Sequence, residues 1–357
     1  MNNLNTKVYL IGGFLVNDNY GDVVQAKVWV DLYKKNNILF KLICYEQSIN
    51  KCRSILKLHK NQVISIKEFL SVIDNKGTLH LYGGGYMNNN FGEDFLIVCK
   101  HANRMGFNIF ATGVQIDKSY YSKIKSIPIN YISVRDSKSK KIVNNKKTII
   151  TDDSLIYFYN KRKKINFSRF LSKFFNKQKI LLQLSLNSYI YDEGLDLVPF
   201  YKDFITNLFR HKYKVTLVSS FPKTVDVVEN QNLLNKLEID LNNIDFTTTQ
   251  NLEDTLFDNY DMIVVNSFHT YIMSVYKYNC PIYYLAFSNY YKQKALGLKN
   301  YGLLKDNMLI DNPKKLGMIL SQHNYTKSIS KYALLNSFRG VNKVLFKVKK
   351  LIVEANG

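Results

Sequence analysis

Acidic side chains are scarce in this sequence. The 357 residues include 28 Asp and Glu against 50 Lys and Arg, so the formal net charge is +22 at pH 7. An excess of that size favours polyanions or an anionic membrane surface as partners. Helix-turn-helix, zinc-finger and RNP patterns are lacking, and the basic residues are spread along the chain. We therefore expect no nucleic acid partner, and we keep an anionic membrane surface as an expected one.

Cysteine is also rare. The four copies, at positions 44, 52, 99 and 280, show no CxxC spacing and no matching histidine pattern, which excludes a recognisable zinc site or disulfide framework. No apolar run approaches the roughly 18 residues that a membrane helix needs, and the first residues lack a signal-peptide layout. These absences predict reduced thiols, no metal, and a cytoplasmic chain, peripheral at most on the inner membrane leaflet.

Strand-like and helix-like segments alternate along the chain, which predicts parallel, doubly wound sheets. The length suits two domains, and the 46% apolar content is enough for full cores. The predicted fold class is α/β, with two Rossmann-like doubly wound domains facing a cleft, the glycosyltransferase-B architecture. We predict an N-terminal Rossmann-like domain over 1–165 on the acceptor side, a C-terminal Rossmann-like domain over 176–325 on the donor side, and a basic helix over 326–357 that packs back on the N-terminal domain.

The boundary between the domains is predicted from a basic stretch, Lys161–Lys179, in which cations alternate with phenylalanines. Two interpretations of it remain open. In the first, the segment Arg162–Phe175 is an amphipathic element that lies on a membrane surface. In the second, the whole stretch is a solvated linker with a few buried phenylalanine rings. The part Lys331–Lys350 of the predicted basic C-terminal helix is a second segment expected to dock on an anionic surface.

Individual elements follow from apolar runs and their periodicity. The predicted strands are Lys7–Ile11, Ile38–Cys44, Thr78–Tyr82, Asn108–Ala111, Tyr131–Val134, Thr148–Ile150, Lys179–Leu186, Tyr213–Ser220, Ile244–Phe246, Met262–Val265 and Pro281–Ala286. The predicted helices are Val23–Lys35, Val63–Ile73, Phe91–Arg104, Leu197–His211, Val225–Leu237, Leu252–Phe257, one beginning at Thr270, and Lys331–Glu354.

The most informative stretch is Asp261–Ala286. A buried strand, Met262–Val265, is followed by Asn266 and Ser267, and then by a predicted helix. His269 is thereby predicted at the carboxyl end of a strand and the first turn of a helix. Open α/β sheets bind ligands there, and helix N-terminal amides favour anions. On position alone, a simple helix-capping turn explains these residues equally well.

Similar polar turns follow several strands of the N-terminal half. Each alone has a plain structural explanation, such as a tight glycine turn or a helix cap. Together, and in this order, they resemble the motifs of the polysaccharide pyruvyl transferase family. The motifs are Asn19–Asp22 (NYGD), Leu81–Gly85 (LYGGG), Ala111–Gln115 (ATGVQ), Ser133–Ser137 (SVRDS), Asp152–Leu155 (DDSL) and Ser267–Thr270 (SFHT).

The resemblance covers nearly the whole chain. It implies a two-domain glycosyltransferase-B-like fold and transfer of pyruvate from phosphoenolpyruvate to sugar hydroxyls as a ketal, in bacterial capsule, exopolysaccharide or cell-wall glycans. Phosphoenolpyruvate is then the donor substrate, no cofactor is implied, and a sugar or lipid-linked glycan is the acceptor. The oligomeric state is not predicted.

The expected site residues follow from these motifs and from the needs of ketal formation, which are a general base, a general acid and a cationic phosphate cradle. His269 is expected as acid/base or phosphate ligand, and Asp22 as the base for the acceptor hydroxyl. The expected donor-binding residues are Arg135, Ser267, Thr270, Lys292 and Lys294. The expected acceptor-binding residues are Asn19, Gly84, Gly85 and Asp153.

Two departures from the family keep other functions open. Ser267 and Asn187 stand where the family usually carries arginine, and bidentate arginine is the natural partner of a phosphate and a carboxylate. The main alternative is therefore a glycosyltransferase-B-type glycosyltransferase with a nucleotide-sugar donor, its diphosphate at Asn266–Thr270. A third is a non-enzymatic basic module that binds glycan or nucleic acid, with salt-sensitive affinity and no turnover.

Overall fold

The computed structural model describes residues 7–12, 19–73, 77–89, 92–161, 178–186, 195–219, 232–239, 244–254, 260–278, 280–322 and 331–354. The chain forms two compact units. Unit 1 consists of Met1–Asn160 together with Phe338–Gly357, and unit 2 consists of Lys161–Ser337. The predicted membrane segment Arg162–Phe175 and the position Asn187 lie outside the described residues.

Unit 1 contains a seven-stranded parallel sheet with the strand order β3-β2-β1-β4-β5-β6-β7. This is the Rossmann order, and the direction of winding reverses between β1 and β4, where such sheets bind ligands. The strands are β1 (Lys7–Gly12), β2 (Phe40–Cys44), β3 (Val63–Ser65), β4 (Gly77–Met87), β5 (Asn108–Ile116), β6 (Ile129–Val134) and β7 (Ile149–Ile150). The helices between them are α1 (Tyr20–Lys35), α2 (Ile49–Leu56), α3 (Ile66–Leu70), α4 (Glu93–Arg104), α5 (Lys118–Ile124), α6 (Ser137–Val143) and α7 (Asp153–Lys161).

Unit 2 repeats this plan with a six-stranded parallel sheet of order β10-β9-β8-β11-β12-β13. Its winding reverses between β8 and β11. The strands are β8 (Lys179–Gln183), β9 (Lys214–Ser219), β10 (Ile244–Thr248), β11 (Met262–Val265), β12 (Ile282–Leu285) and β13 (Leu309–Ile310). The helices are α8 (Val198–Arg210), α9 (residues 232–237), α10 (Thr249–Asp254), α11 (Phe268–Lys277), α12 (Asn289–Asn300) and α13 (Met318–Gln322).

The last helix, α14 (Lys331–Glu354), returns the chain to unit 1 from Phe338 onward. Phe338, Val341, Val344 and Val348 recur at helical spacing and are buried, which is the pattern of a helix with one apolar face. Phe338 packs edge-on against Tyr159, with ring centroids 5.2 Å apart. Among the described residues, no helix combines the length and the apolar character that crossing a membrane requires.

Strand β11 is one of the elements whose bounds could be predicted from the sequence. All four side chains of β11 are fully buried, and burial of each such side chain contributes about 1.5–3 kcal/mol. That is why Met262–Val265 reads as an uninterrupted apolar run. The predicted bounds of this strand and of α14 are those observed.

One predicted helix was wrong in part. Val63–Ile73 begins as strand β3, which pairs with β2, and becomes helical only at Ile66. A capping box sets that boundary, since Ser65 Oγ accepts from the Glu68 amide over 3.0 Å and Glu68 Oε2 accepts from the Ser65 amide over 2.6 Å. Strand β4 also runs beyond the predicted Thr78–Tyr82 and continues through the three glycines to Met87.

Candidate functional site

The glycine turn, Gly83–Gly85, lies in β4 beside the point where the winding of unit 1 reverses. Gly83 and Gly84 have φ values of +29° and +102°, which residues with a β-carbon rarely adopt. A β-carbon on Gly83 would also lie 2.5 Å from the Gln25 side chain. The glycines are therefore required by backbone conformation and by the close approach of α1.

Asp153 holds this turn from inside the unit. Its Oδ2 atom accepts hydrogen bonds from Trp29 Nε1 at 2.8 Å, from the Gly83 amide at 2.9 Å and from Thr112 Oγ1 at 2.8 Å. The side chain is fully buried. Burial raises the pKa of Asp153 to about 7, Asp152 adds to the rise, and the three donors oppose it. Asp153 was expected to contact the acceptor, and the structure places it behind the backbone of the turn.

A second layer of the same network lies behind Thr112. His80 Nε2 is 2.8 Å from Thr112 Oγ1, and His80 Nδ1 is 2.8 Å from the Tyr33 hydroxyl. Burial lowers the pKa of His80 well below its ordinary value, so the ring is neutral. Because Thr112 gives its hydrogen to Asp153, Nε2 carries the ring hydrogen and Nδ1 accepts from Tyr33. The hydrogen bonds thus run in one direction, from Tyr33 to the Asp153 carboxylate.

Arg135 was expected to hold the anionic part of the donor. It is 2% exposed, and its Nη2 donates to Gln115 Oε1 over 2.7 Å. Its Nη1 lies 3.8 Å from Asp152 Oδ2. The anion that this guanidinium faces in the structure is a carboxylate of the same chain.

The edge of unit 1 near α1 carries the other expected residues. Asn19 caps α1, and its Oδ1 accepts from the Gly21 amide over 2.9 Å. Asp22 lies half-buried in the first turn of α1. Burial is the main cause of the raised pKa of Tyr82, and the charge of Asp22 adds to it. Gly84 is buried, while Gly85 is half-buried. Asn19, Asp22 and Gly85 are thus the expected residues of unit 1 with exposed surface.

In unit 2 the motif residues surround the N-terminus of α11, beside the reversal of winding between β8 and β11. Ser267 is the N-cap, and its Oγ accepts from the Thr270 amide over 3.4 Å. The Ser267 amide donates to Gln183 Oε1, at the end of β8, over 3.2 Å. His269 is half-buried in the first turn, with its ring edge-on to Phe268 at 5.2 Å between centroids.

Asn266, which directly follows β11, adds an observation that the motif does not reveal. Its side chain is 4% exposed, and its Nδ2 atom donates to no other described residue. A buried amide without an acceptor costs about 1–3 kcal/mol, and such groups usually have a functional explanation. The neighbouring Thr270 is different, because its buried hydroxyl lies 3.1 Å from Thr249 Oγ1 within the unit.

The two expected lysines lie on α12. Lys292 is exposed, and it contributes to the lowered pKa of Asp311, for which Lys315 is the main cause. Lys294 stacks on aromatic rings, with its Nζ 4.2 Å from the Tyr290 centroid and 4.7 Å from the Tyr291 centroid.

The structure therefore brings the expected residues together in two groups. The unit 1 motifs are joined by buried hydrogen bonds, including one from the Gly113 amide to Ser133 Oγ at 3.0 Å. In unit 2 the motif residues lie at the start of α11, whereas Lys292 and Lys294 lie on α12. Sequence reasoning missed Trp29 and His80 as members, whereas Asn266 was expected at the diphosphate site of the nucleotide-sugar alternative. One signal was available, a histidine within the apolar run of β4. Among the described residues, no group of His, Cys, Asp or Glu has the arrangement of a metal site.

No family model matches the sequence, and no curated protein matches it. Solved structures do match. The chain is similar to the pneumococcal O-GlcNAc transferase GtfA in complex with UDP and GlcNAc, with a TM-score of 0.60, 8% identity, and coverage of 98% of this chain and 99% of that one. It is also similar to Methanocaldococcus jannaschii UDP-GlcNAc 2-epimerase in complex with UDP-GlcNAc and UDP, with a TM-score of 0.59, 12% identity and coverage of 96% and 100%.

A third similar structure is a mutant of S. aureus TarM in complex with fondaparinux, alpha-GlcNAc-glycerol and UDP, with a TM-score of 0.52, 8% identity and coverage of 98% of each chain. The fold is of the glycosyltransferase-B class. The predicted fold class, with two Rossmann-like α/β domains, is confirmed. At these identities the similarity establishes the fold and leaves the reaction open.

Proposed function

We propose that this protein is a glycosyltransferase that binds the diphosphate of a nucleotide-sugar donor at the N-terminus of α11 and transfers the sugar to a glycan acceptor. The observation that carries the proposal is the buried amide of Asn266, which has no acceptor among the described residues and lies beside that helix end. A phosphate oxygen there would accept its hydrogen bond.

The position suits a diphosphate for two further reasons. The first turn of an α-helix presents N–H groups that lack intrahelical acceptors, and its dipole favours negative charge. The three similar structures described above were each solved with UDP. They include an epimerase as well as transferases, so nucleotide binding is better supported than any one reaction.

The arginines of unit 2 favour this donor over phosphoenolpyruvate. Within the described part of unit 2, the only arginine is Arg210, at the end of α8 and therefore near the start of β9. That places it at the amino end of the strands, away from the N-terminus of α11. A compact phosphate and carboxylate need paired cations, whereas helix amides can hold a diphosphate.

His269 has a clear role under this proposal. Its imidazole stands in the first turn of α11, where it can donate a hydrogen bond to a donor phosphate or take a proton from the acceptor hydroxyl. Asp22 is the corresponding base on the acceptor side, with Asn19 at the same helix end. The acceptor is a sugar or lipid-linked glycan.

Pyruvyl transfer from phosphoenolpyruvate is the second candidate function. The observation that favours it is the ordered set of six motifs, five of which lie in unit 1. In that reaction the methylene carbon of the donor gains a proton, an acceptor hydroxyl attacks the adjacent carbon and phosphate leaves. A second hydroxyl then closes the ketal. Lys292, on α12, would supply a cation for the donor.

The test is thermal unfolding of the purified protein with UDP, a panel of nucleotide sugars and phosphoenolpyruvate, each in millimolar excess. A ligand that binds only the folded state raises the midpoint. We expect a rise with UDP and one nucleotide sugar, lost in His269→Ala and kept in His211→Ala, a matched change at the exposed end of α8. A rise with phosphoenolpyruvate alone would overturn the proposal in favour of pyruvyl transfer. Salt-sensitive glycan binding without turnover would identify a binding module.

A further inference from the structure

The Asp153 carboxylate joins elements that are far apart in sequence. Its Oδ2 atom accepts from Trp29 on α1, from Gly83 on β4 and from Thr112 on β5, while Asp153 itself begins α7. Only one of these donors, the Gly83 amide, belongs to the glycine turn, which lies beside the reversal of winding where such sheets bind ligands. The position of that amide is therefore set by a carboxylate that no ligand needs to touch.

The charge on Asp153 decides how firmly the donors are held. Hydrogen bonds to an ionised acceptor are roughly twice as strong as those between neutral groups. Oδ2 already accepts three, and Oδ1 is buried and accepts none from the described residues. A proton would therefore bind Oδ1, and the bonds to Oδ2 would weaken without being replaced.

We propose that Asp153 is a positioning residue, whose ionised carboxylate fixes the Gly83 amide and thereby holds the glycine turn in the conformation that meets a ligand. Protonation of Asp153 loosens the turn. The inference deepens the acceptor side of the proposed function, and it rests on that function only in treating the turn as a ligand contact.

Other titratable groups face or influence Asp153 from the elements around it. They are Tyr33 on α1, His80, Tyr82 and Tyr86 on β4, Tyr131 on β6, Arg135 after β6, and Asp152 before α7. Burial raises the pKa of each of these tyrosines and lowers that of His80. These tyrosines and His80 therefore remain neutral near pH 7, where Asp153 changes charge.

Trp29 is a natural probe of the Asp153 carboxylate, because it is the single tryptophan of the sequence and its indole N–H donates directly to Asp153. No label has to be introduced at the turn. The first experiment follows the one indole N–H resonance of the full-length protein between pH 5 and pH 9. We expect a titration with a midpoint near 7. It should vanish in Asp153→Asn and persist in Asp136→Asn, a matched buried aspartate that caps α6. A resonance that does not titrate, or that titrates equally in Asp153→Asn, overturns the inference.

A milder variant covers the case in which Asp153→Asn fails to fold. Thr112→Val removes one donor to the carboxylate while keeping the side-chain shape, so the midpoint should move to higher pH. Thr78→Val is the control, because Thr78 is buried in the same sheet and its hydroxyl has no partner among the described residues. An equal shift in both variants, or none in Thr112→Val, contradicts the role given to the hydrogen-bond network.

The second experiment measures the glycine turn itself by amide hydrogen exchange, corrected for the intrinsic effect of pH. Protection of the Gly83 amide should rise about tenfold through the same midpoint, since a charge-assisted hydrogen bond replaces a neutral one. A purely structural role predicts protection independent of pH. Neither experiment requires a donor, so failure of Gly83 to follow Asp153 rejects the inference alone, and failure of nucleotide sugars to bind rejects the proposed function alone.

Discussion

Gly113 approaches Asp153 so closely that a β-carbon on it would lie 2.8 Å from the Asp153 backbone nitrogen and from its Oδ1 atom. Gly113 also has a φ of +61°. Gly302 shares the second property, with φ +72°, but not the first, because nothing lies within 4 Å of its β-carbon position. Substitutions at Gly113 and Gly302 therefore distinguish the cost of backbone strain from the cost of a steric clash.

We expect Gly302→Ala to lower the free energy of unfolding by roughly 1–2 kcal/mol, the usual effect of a left-handed conformation on an L-residue. Gly113→Ala should lower it by about 1–3 kcal/mol more, because the methyl group is forced against Asp153. Chemical unfolding followed by circular dichroism measures both. Equal losses would mean that α7 moves aside easily and that Asp153 is not held rigidly.

The raised pKa of Asp153 predicts how stability depends on pH. The folded state keeps the Asp153 proton up to about pH 7, whereas the unfolded chain releases it near 3.8. The stabilisation is therefore complete below about pH 4 and is lost as the pH rises through 7, with a slope of at most about 1.4 kcal/mol per pH unit. The wild type should lose stability relative to Asp153→Asn across this window, and the difference should be constant above pH 8.

The wild type has to be compared with Asp153→Asn because His80 changes the stability with pH in the opposite direction to Asp153. Its pKa is lowered by burial, so the stabilisation that it provides is present above its unfolded value and lost as the pH falls. Both proteins contain His80, and the difference between them removes its effect. If the stability of the wild type minus that of Asp153→Asn increased with pH, the assignment of the proton to Asp153 would be wrong.

Asn266 gives a prediction in which stability and binding change in opposite directions. Replacing it with leucine removes a buried donor that has no acceptor in the described structure, so stability should stay the same or rise by about 1 kcal/mol. Affinity for UDP should fall at least tenfold. Gln183→Leu is the control, because that amide accepts from Ser267 and its loss should lower stability. Calorimetric titration and thermal unfolding together measure both effects. Unchanged UDP affinity in Asn266→Leu would remove the main support for a diphosphate at this position.

Two helix caps of equal geometry provide a further comparison. Ser267 caps α11 and Ser288 caps α12, each with Oγ 3.4 Å from the amide that it accepts. Changing either to alanine should cost about 1 kcal/mol of stability. Only Ser267→Ala should also weaken nucleotide-sugar binding, measured by calorimetric titration. Similar weakening by both would indicate a general loss of order in unit 2.

The outer side of α14 predicts attachment to an anionic membrane. Phe346 is 73% exposed, and its exposed neighbours on the helix are Arg339, Asn342, Lys343, Lys349 and Lys350. We expect sedimentation with anionic vesicles at low salt, decreasing as salt is raised. Changing Lys343 and Lys349 to glutamate should reduce the affinity roughly tenfold or more.

The control for the membrane experiment makes the same charge change at Lys100 and Lys118, exposed residues of α4 and α5. Equal loss of binding in both double variants would mean that total charge, and not α14, drives attachment. No affinity for anionic vesicles at low salt would reject the membrane surface as a partner.

Local patterns were sufficient to predict the fold class and the bounds of strand β11, whereas β4 and β5 run past their predicted ends. Met262–Val265 and the turn after it could be read from the sequence because a short apolar run and a cap are neighbours in the chain. Strand β3 could not, since three residues form a strand only by pairing with β2. Trp29 and His80 escaped notice because their roles depend on Asp153 and Thr112, which are distant in sequence and meet only in the folded sheet.

The two-segment composition of unit 1 has a consequence for protein synthesis. Because α14 joins unit 1 from Phe338 onward, a ribosome has made all of unit 2 before it makes this last part of unit 1. Unit 2 is a single continuous segment and can close while still emerging from the exit tunnel. Folding of unit 1 can be completed only after Phe338, Val341 and Val344 have been synthesised, because these residues are buried in it. Until then the apolar surface that they cover stays exposed, so we expect chaperones to bind the half of the protein that is made first.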